Sequence, residues 1–198
     1  MALQTITQVS APRVTIRPVN DSDLNDLFEV NGDDAVTRYL PYQTWQTIEQ
    51  GTAWLARMEA LATSGTGQQL VIERNEDRKV IGTILLFKFD EASSRLELGY
   101  VLGRAHWRRG YASEALRAVC QHAFRQLSVR RIEAEVDPEN GASNVLLLAL
   151  GFTHEGLLRQ RWVAKGVAYD TNIYGCLSHE WPPGSNAAIP SGRAVPPP

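Results

Sequence analysis

The chain has 198 residues and a mass of 22.0 kDa, which suits a single domain large enough to bury a substantial core. Hydrophobic residues make up 43% and charged residues 21% of the sequence, and the formal net charge is −2. These proportions are ordinary for a soluble domain and argue against an extended basic surface of the kind that binds nucleic acids. We therefore expect no nucleic-acid partner.

The cysteines, the histidines and the hydropathy pattern bear on compartment and on metal binding. Cys120 and Cys176 lie inside apolar patterns without the spacing of a disulfide framework, which favours a reducing, cytoplasmic setting. The first residues lack the basic and apolar regions of a signal peptide, and no apolar run is long enough to span a bilayer. The four histidines are scattered, so we expect neither a membrane partner nor a metal site.

The first half of the chain predicts two helices and an antiparallel meander. Asp21 is the predicted N-cap of a helix that reaches Asn31 and ends at Gly32. Thr47 and Gln50 have the spacing of a capping box, which predicts the start of a second helix. Apolar and alternating runs bounded by polar turns predict strands at residues 14–18, 70–73, 80–89 and 95–102.

A strand, a helix and a strand follow in order in the second half of the chain. Residues 112–127 carry an apolar stripe at helical spacing, and residues 131–136 alternate between apolar and charged side chains as strands do. A right-handed crossover would place the second strand parallel to residues 95–102. The remaining predicted elements are a helix at residues 140–150 and a hairpin of strands at residues 153–163 and 167–177.

Composition sets the predicted limits of the domain. Residues 1–12 are predicted to be an N-terminal extension and residues 13–180 the folded domain. From residue 181 to residue 198 the sequence turns to Pro, Gly, Ser and Ala without periodicity. Such a segment buries too little apolar surface to offset its ordering entropy, so we expect this tail to be disordered.

The most informative segment lies between a predicted strand and a predicted helix, where residues 107–112 read WRRGYA. A tight turn that opens a helix exposes backbone N–H groups without intrahelical partners at the positive end of the helix dipole, which suits an anion. Gly110 permits a positive φ or a close approach of the backbone to a phosphate, and Arg108 and Arg109 add positive charge. A solvated basic loop is the alternative interpretation.

The same turn is similar to a motif of the GNAT superfamily of acyl-CoA-dependent N-acetyltransferases. That motif consists of Gln or Arg, two residues, Gly, one residue, and Gly or Ala, and Gly110 and Ala112 match it. Trp107 stands where Gln or Arg is usual. A tryptophan at this position is similar to the branch that includes the ribosomal-protein N-terminal acetyltransferases, here called the Rim-like branch.

A second motif follows at the separation that the family shows. Asn140 and Ser143, followed by Leu-Gly-Phe at residues 150–152, match the N-x-x-S and L-G-F segments of the Rim-like branch. Two motifs in the right order make coincidence a poor explanation, although either alone is weak. The chain therefore resembles GNAT enzymes over residues 14–177.

The resemblance implies an α/β (α+β) fold, the GNAT fold. Its mixed, mostly antiparallel sheet of about six or seven strands would be flanked by about four helices, with one parallel pair, ending at Leu102 and Val136, splayed at the cofactor cleft. It also implies acetyl-CoA as the acyl donor, with Val101 and Leu102 offering backbone hydrogen bonds to pantetheine. The residues expected at the cofactor are Val101, Leu102, Arg108, Arg109, Gly110, Tyr111, Ala112, Ser113, Asn140 and Ser143.

Two residues are the candidate catalytic groups. Glu97, on the strand that leads into the turn, is the first candidate for the base, acting directly or through water, and Glu135 is the reserve. A carboxylate on the strand surface is the alternative. Many GNAT enzymes use a tyrosine as the acid, but Leu147 occupies that position. The Rim-like branch is thought to use a serine that Ser143 matches, and a hydroxyl bonded to backbone is the alternative.

The acceptor is less constrained than the donor. An α-amine has a pKa of about 7.7–8.0 and a lysine about 10.4, so the α-amine needs less help to become neutral. With the Rim-like resemblance, this favours a protein N-terminal α-amine. Polyamines, amino acids, aminoglycosides, a non-catalytic acyl-CoA sensor and a homodimer stay open. The candidate acceptor residues are Tyr39, Tyr42, Trp162 and Asp170, with a packed loop or aromatic core as the alternative.

Overall fold

A single mixed sheet forms the centre of the protein, as the computed structural model describes it for residues 5–181. Its strands are β1 Val9–Ser10, β2 Val14–Pro18, β3 Gln68–Arg74, β4 Val80–Asp90, β5 Arg95–Leu102, β6 Arg131–Val136, β7 Thr153–Ala164 and β8 Val167–Leu177. They lie side by side in the order β1-β2-β3-β4-β5-β6-β8-β7. The α-helices of the same residues are α1 Leu24–Asn31, α2 Asp34–Thr37, α3 Ile48–Thr63, α4 Tyr111–Arg125 and α5 Gly141–Leu150.

Among the strands of residues 5–181, β5 and β6 form the one parallel pair. They pair only from Arg95 opposite Arg131 to Glu97 opposite Glu133. Beyond these residues β5 continues along β4 and β6 continues along β8, so a gap opens in the sheet at the carboxyl ends of both strands. The predicted splayed parallel pair is confirmed.

Helices cover both faces of the sheet, so the central strands are buried on both sides. In β3, Leu70 and Ile72 lie in a core cluster with residues of α4, whereas Val71 lies in a second cluster with Trp54 of α3. Successive side chains of a strand point to opposite faces, so the two clusters mark the two faces of the sheet. Each fully buried Leu or Ile side chain contributes about 1.5–3 kcal/mol to the stability of this arrangement.

The helix starts follow the predicted capping chemistry in one case and depart from it in another. α3 begins after Thr47, and Thr47 and Gln50 form the predicted capping box. Before α1, the side chain of Asn20 caps a short 3-10 turn at Asp21–Asp23, and α1 begins only after this turn. The predicted N-cap at Asp21 is therefore wrong, because the side chain of Asn20, one residue earlier, accepts the hydrogen bond from the Ser22 N–H.

α2 is a helix that the sequence pattern missed. It has four residues, too few to show an apolar repeat. Asp33 caps it by accepting a hydrogen bond from the Ala35 N–H at 2.8 Å. With α2 and the two-residue β1, residues 5–181 hold one helix and one strand more than the sequence indicated.

Part of the predicted N-terminal extension belongs to the sheet and its core. β1 pairs with β2, and Ile6 is 1% exposed. The Gln68 side chain holds Ile6 by accepting from its N–H and donating to its carbonyl, both at 2.8 Å. The boundary predicted at residue 13 therefore lies inside the fold, because a two-residue strand is too short to show a period.

Trp181, the last residue that the structure describes, belongs to the core. This residue is buried, and its ring packs on Phe124 of α4 with the ring centroids 5.5 Å apart. It was predicted to begin the tail, but it belongs to the core cluster. The rest of the predicted tail, residues 182–198, lies outside the described residues.

Candidate active site

A cavity of about 490 Å³ lies where β5 and β6 diverge. It is walled by β4, β5, β6 and β8, by the start of α5 and by the segment between α2 and α3. The structure thus brings the candidate base, the candidate acid and three of the four candidate acceptor residues together from distant parts of the chain. The predicted site residues that line the cavity are Tyr39, Tyr42, Glu97, Val101, Asn140, Ser143 and Trp162.

Glu97 is buried in this cavity, with 7% of its surface exposed. Its Oε2 lies 2.6 Å from the Nζ of Lys88, a residue that the sequence analysis did not single out. Burial raises the pKa of Glu97, Lys88 opposes this rise, and Glu135 and Glu133 add to it. A raised pKa makes a carboxylate a better proton acceptor at neutral pH, as long as it is still ionised.

Glu135, the reserve base, is held more extensively than Glu97. Its Oε1 lies 3.7 Å from the Lys88 Nζ and 3.5 Å from the Arg161 Nη2. Its Oε2 accepts a hydrogen bond from the Trp162 indole N–H at 2.5 Å. These three side chains engage both oxygens of Glu135, which leaves Glu97 as the better candidate for an incoming amine.

The start of α5 brings Asn140 and Ser143 to the cavity. Asn140 caps the helix, and its Oδ1 accepts from the Ser143 N–H at 3.2 Å. Asn144 ties this turn to neighbouring strands, since its Nδ2 donates to the Asp137 carbonyl and its Oδ1 accepts from the Tyr174 hydroxyl at 2.7 Å. The backbone of Ser143 is therefore fixed from two sides.

Two hydroxyl groups in the cavity were missed by the sequence analysis. Tyr100 Oη and Thr171 Oγ1 are buried and make no hydrogen bond within residues 5–181. Burial raises the pKa of Tyr100 to about 12, and the neighbouring Ser143 side chain opposes this in part. An unpaired buried polar group costs about 1–3 kcal/mol, so both hydroxyls mark places where a ligand can supply a partner. The sequence did contain a signal for Tyr100. It lies on the same strand face as Leu96 and Leu98, so a hydroxyl group follows two apolar residues on a face that is buried.

Aromatic and apolar side chains form the wall of the cavity between α2 and α3. The Tyr39 hydroxyl donates to the Glu139 carbonyl at 3.2 Å, and the Tyr42 hydroxyl donates to the Asn31 Oδ1 at 2.9 Å. Burial raises the pKa of Tyr42, so its hydroxyl stays neutral. This wall suits the apolar body of an acceptor. Its apolar members are Leu40 and Pro41, and Trp54 and Met58 of α3 extend it.

Asp170 is a predicted acceptor residue that the structure places elsewhere. Its Oδ1 accepts from the Gln160 N–H at 2.8 Å, in the irregular part of β7 where Gln160 has φ +48°. It lines a second depression beside the hairpin, whereas its neighbour Tyr169 lines the main cavity. Asp170 therefore does not line the main cavity, and its role at the acceptor stays a prediction.

The turn between β5 and α4 has the backbone features of an anion site. Gly110 has φ +80° and precedes the first residue of α4. Because glycine carries no side chain that could cap the helix, the first N–H groups of α4 keep their hydrogen-bonding capacity and lie at the positive end of the helix dipole. A Cβ at Gly110 would lie 3.2 Å from the Arg13 Nη2. The residues of this turn and of the start of α4 that are predicted to lie at the cofactor are Arg108, Arg109, Gly110, Tyr111, Ala112 and Ser113.

Arg13 is a further cation at this turn, and no sequence pattern indicated it. Its N–H and Nε donate to the Glu114 carboxylate at 2.6 and 2.7 Å, and its Nη1 donates to the Arg109 carbonyl at 3.0 Å. Its guanidinium carbon lies 4.8 Å from the centre of the Tyr111 ring. Arg13 therefore fastens the start of β2 to the turn, and no local pattern predicts a contact so distant in sequence.

The backbone hydrogen bonds predicted for Val101 need correction. The Gly103 N–H donates to the Ile81 carbonyl at 2.8 Å, and alternation along the antiparallel ladder then turns the Val101 backbone toward β4 as well. The Leu102 backbone faces the gap, where its carbonyl accepts from the Trp107 indole N–H at 2.7 Å. Trp107, at the position where Gln or Arg is usual, thus anchors the turn to the strand.

Residues 5–181 hold no cluster of three or more His, Cys, Asp and Glu side chains arranged for a metal ion. No helix in the same residues is long and apolar enough to cross a membrane. Cys120 and Cys176 are buried free thiols, and burial raises the pKa of Cys176 to about 11. Neither cysteine lines the cavity, so neither is placed to act as a nucleophile on a ligand bound there.

A splayed parallel pair of strands, an anion-binding turn that follows one of them, and a carboxylate and a hydroxyl in the gap define a class of protein. They are the features of an enzyme that moves an acyl group from a nucleotide-linked thioester to an amine.

Comparison with known proteins gives the family. The model of the Acetyltransferase (GNAT) domain matches residues 13–153. The uncharacterized N-acetyltransferase YoaA of Bacillus subtilis (strain 168) is 38% identical over 165 residues, covering 83% of this chain and 93% of that protein. The chain therefore belongs to the GNAT family and is an acyl-CoA-dependent N-acetyltransferase.

Two further similarities bear on the branch and on the fold. The ribosomal-protein-serine acetyltransferase of Escherichia coli (strain K12) is 29% identical over 99 residues, which is 50% of this chain and 55% of that protein. The crystal structure of a probable GNAT-family acetyltransferase from Chromobacterium violaceum has a TM-score of 0.82 at 26% identity, covering 91% of this chain and 92% of that one. The predicted resemblance to the family and to its Rim-like branch, and the predicted fold, are confirmed.

Proposed function

We propose that this enzyme acetylates a protein N-terminal α-amine, which attacks acetyl-CoA directly in a ternary complex. The observation that carries the proposal is that Glu97 and Ser143, the candidate base and acid, line one cavity at the gap between β5 and β6. In such a cavity a carboxylate can serve the attacking amine while a hydroxyl serves the leaving group.

The donor fits the residues that surround the gap. The first N–H groups of α4, behind Gly110 with its φ of +80°, are assigned to the diphosphate. The gap-facing backbone of Leu102 and the side chain of Asn140 are assigned to the pantetheine arm, in place of the Val101 backbone. When bound, acetyl-CoA supplies an activated acetyl group and a thiol leaving group.

Glu97 is assigned as the base that accepts the proton of the attacking amine. Burial raises the pKa of Glu97, which narrows the gap to the pKa of an α-amine, about 7.7–8.0. A lysine side chain, with a pKa of about 10.4, would leave a much larger difference to overcome. The site is therefore better matched to an α-amine.

Ser143 is assigned as the proton donor to the departing thiolate. Its backbone N–H is held by the Asn140 cap, which leaves the side chain in the cavity. The unpaired Tyr100 hydroxyl, buried beside it, adds a second donor to this side of the site. Two preorganised donors in a water-poor cleft stabilise a developing anion better than one exposed hydroxyl.

Two observations support a peptide as the acceptor. The Escherichia coli relative, by its name, acts on a serine of a ribosomal protein. The second depression, which continues from the main cavity through Tyr39, Asp137 and Tyr169, offers a surface for the residues that follow the amine. A small amine would occupy the first cavity and leave this surface unused.

A mass-shift screen tests the proposal. Purified enzyme and acetyl-CoA are presented with peptides that have a free N-terminus, the same peptides with a blocked N-terminus and a free lysine, spermidine, amino acids and an aminoglycoside. We expect the acetyl mass on the free-N-terminus peptides alone. Turnover of the small amines alone would replace the acceptor class, and tight acetyl-CoA binding without any turnover would favour a sensor.

A further inference from the structure

Lys88 occupies a strained backbone position beside the candidate base. The pairing of β4 with β5 shifts its register between Phe87 and Asp90, and Lys88 has φ +52°. A side chain disfavours this left-handed conformation, because its Cβ then crowds the backbone. Such strain persists only where the surroundings enforce it, and it is frequent at functional sites.

The bulge turns two successive side chains to one face of the sheet. The Phe87 ring lines the cavity, with a ring carbon 3.8 Å from where a Gly99 Cβ would lie. The Lys88 Nζ lies 2.6 Å from the Glu97 Oε2 on that same face. Phe87 pairs with Glu97, so in a regular strand the next side chain, Lys88, would point to the opposite face of the sheet. The strained backbone therefore places the ammonium group beside the candidate base.

Lys88 lies at the centre of a cluster of four side chains, each from a different strand. Its Nζ contacts Glu97 of β5, lies 3.7 Å from Glu135 of β6 and lies 5.4 Å from the ring centre of Trp162 of β7. The Trp162 indole N–H in turn donates to Glu135. The face of a tryptophan ring attracts a cation, so the ammonium is held from three directions.

The charges around Glu97 explain what this ammonium does there. Glu135 and Glu133 of β6 disfavour a second negative charge at Glu97, and burial disfavours it further. Lys88 is the cation in direct contact with Glu97 among residues 5–181.

Three arginines on neighbouring strands contact other carboxylates. Arg161 of β7 lies 3.5 Å from Glu135, while Arg95 of β5 and Arg131 of β6 contact Glu133. The remaining titratable groups that line the cavity are Tyr39, Tyr42, Arg57, Tyr100, Asp137 and Tyr169.

We propose that Lys88 is a positioning residue whose ammonium group keeps Glu97 ionised and oriented to receive the proton of the acceptor amine. The inference rests on the proposed function, because it takes Glu97 as the base. Lys88 itself exchanges no proton with the substrate. Its effect is to maintain a carboxylate where burial and two neighbouring carboxylates would otherwise favour the neutral acid.

Three variants separate this role from a structural one. Lys88→Gly removes the ammonium and accepts φ +52° without strain, and this relief offsets part of the stability that is lost with the ion pair to Glu97. Ser94→Gly is the matched control, since Ser94 has φ +48° at the neighbouring turn and carries no charge. Lys88→Arg restores a cation at the same position.

The first measurement needs no turnover. Carboxyl carbon-13 NMR of glutamate-labelled protein follows the ionisation of Glu97 against pH, and Glu97→Gln identifies its signal. We expect Lys88→Gly to raise the midpoint by about 1–3 pH units, the usual effect of losing an adjacent opposite charge, and Ser94→Gly to leave it in place. An unchanged midpoint in Lys88→Gly overturns the proposal.

The second measurement is kcat/KM against pH, with acetyl-CoA and a peptide that begins with serine as the probe. We expect the acid limb of Lys88→Gly to move to higher pH by the same amount, with unchanged acetyl-CoA affinity, and Lys88→Arg to return it toward the wild type. A moved NMR midpoint with a wild-type acid limb would overturn the role for Lys88, because Glu97 would not be the base. If the wild type acetylates no amine, the proposed function fails, and the NMR midpoint still decides whether Lys88 holds Glu97 ionised.

Discussion

The donor side and the acceptor side of this active site are built in different ways. The proposed donor side is a contiguous turn, braced by Arg13, in which backbone amides at the start of α4 are assigned to the diphosphate. The acceptor side is a cavity assembled from side chains on several strands and on the segment between α2 and α3. One side depends on the course of the backbone, and the other depends on which side chains meet.

This difference follows from what each side binds. Every acyl-CoA presents the same diphosphate, and backbone N–H groups bind it whatever the neighbouring side chains are. Acceptor amines differ in size and charge, and side chains from separate elements can change independently. A change on the donor side should therefore abolish cofactor binding, whereas a change on the acceptor side should alter turnover and leave cofactor affinity intact.

The largest expected effect is on the donor side, in Gly110→Asp. The aspartate places a negative charge at the proposed diphosphate site, and the loss of a charge-assisted contact there costs about 1.5–3 kcal/mol of binding free energy. Acetyl-CoA affinity should fall by about 100-fold or more, measured by calorimetry. Gly166→Asp is the matched control, because Gly166 has φ +79° in the turn between β7 and β8 and nothing within 4 Å of a Cβ. Unchanged affinity in Gly110→Asp would place the diphosphate elsewhere.

A smaller effect, confined to turnover, is expected on the acceptor side in Glu97→Gln. Loss of a general base should lower kcat/KM by about 10²- to 10⁴-fold without changing acetyl-CoA affinity. In the wild type the rate should fall as the pH drops through the raised pKa of Glu97, because the protonated acid cannot accept a proton. The variant should lack this acid limb. A pH–rate profile like that of the wild type would instead indicate Glu135 or water as the base.

Ser143→Ala tests the boundary between the two sides. The variant should lower kcat by about 10²-fold, at the low end for a general acid, since the Tyr100 hydroxyl stays nearby. Cofactor affinity should be retained, because the Asn140 cap contacts the Ser143 backbone and not its hydroxyl. Adding Tyr100→Phe should lower kcat further. A Ser143→Ala enzyme with the wild-type kcat would remove Ser143 from the chemistry.

The smallest effect is expected at the edge of the acceptor side, in Asp170→Ala, because Asp170 lines the second depression and not the main cavity. The change removes the acceptor of the Gln160 N–H, so the free energy of unfolding should fall by about 1 kcal/mol in urea denaturation. Turnover should be unchanged, because Asp170 does not line the main cavity. A selective rise in KM for the peptide would return Asp170 to the acceptor site.

Features that depend on neighbouring residues could be predicted from the sequence. The capping box at Thr47, the alternation that defines β6, and the turn around Gly110 each lie within one short segment. The parallel pairing of β5 with β6 followed from the handedness of the crossover between them. Ser143 followed from the N-x-x-S segment, and Glu97 followed from its place on the strand that leads into the turn. Both residues line the cavity.

Features that depend on long-range contacts or on a one-residue shift could not be predicted. Lys88 contacts Glu97 because a bulge turns its side chain to the other face of the sheet. No pattern in the neighbouring residues predicts the positive φ of Lys88. Arg13 contacts the donor turn although 96 residues separate it from Arg109. Asp170 lines the second depression and not the main cavity, and the sequence pattern could not distinguish these two places because a strand changes face at every residue.

The attachment of Arg13 to the donor turn has a practical consequence for handling the enzyme. The residues that precede Arg13 include β1, which pairs with β2. A change that displaces β1 should therefore also displace Arg13 and the proposed diphosphate turn that Arg13 contacts. An affinity tag fused ahead of this strand, or a truncation that removes it, would imitate an inactivating substitution far along the chain.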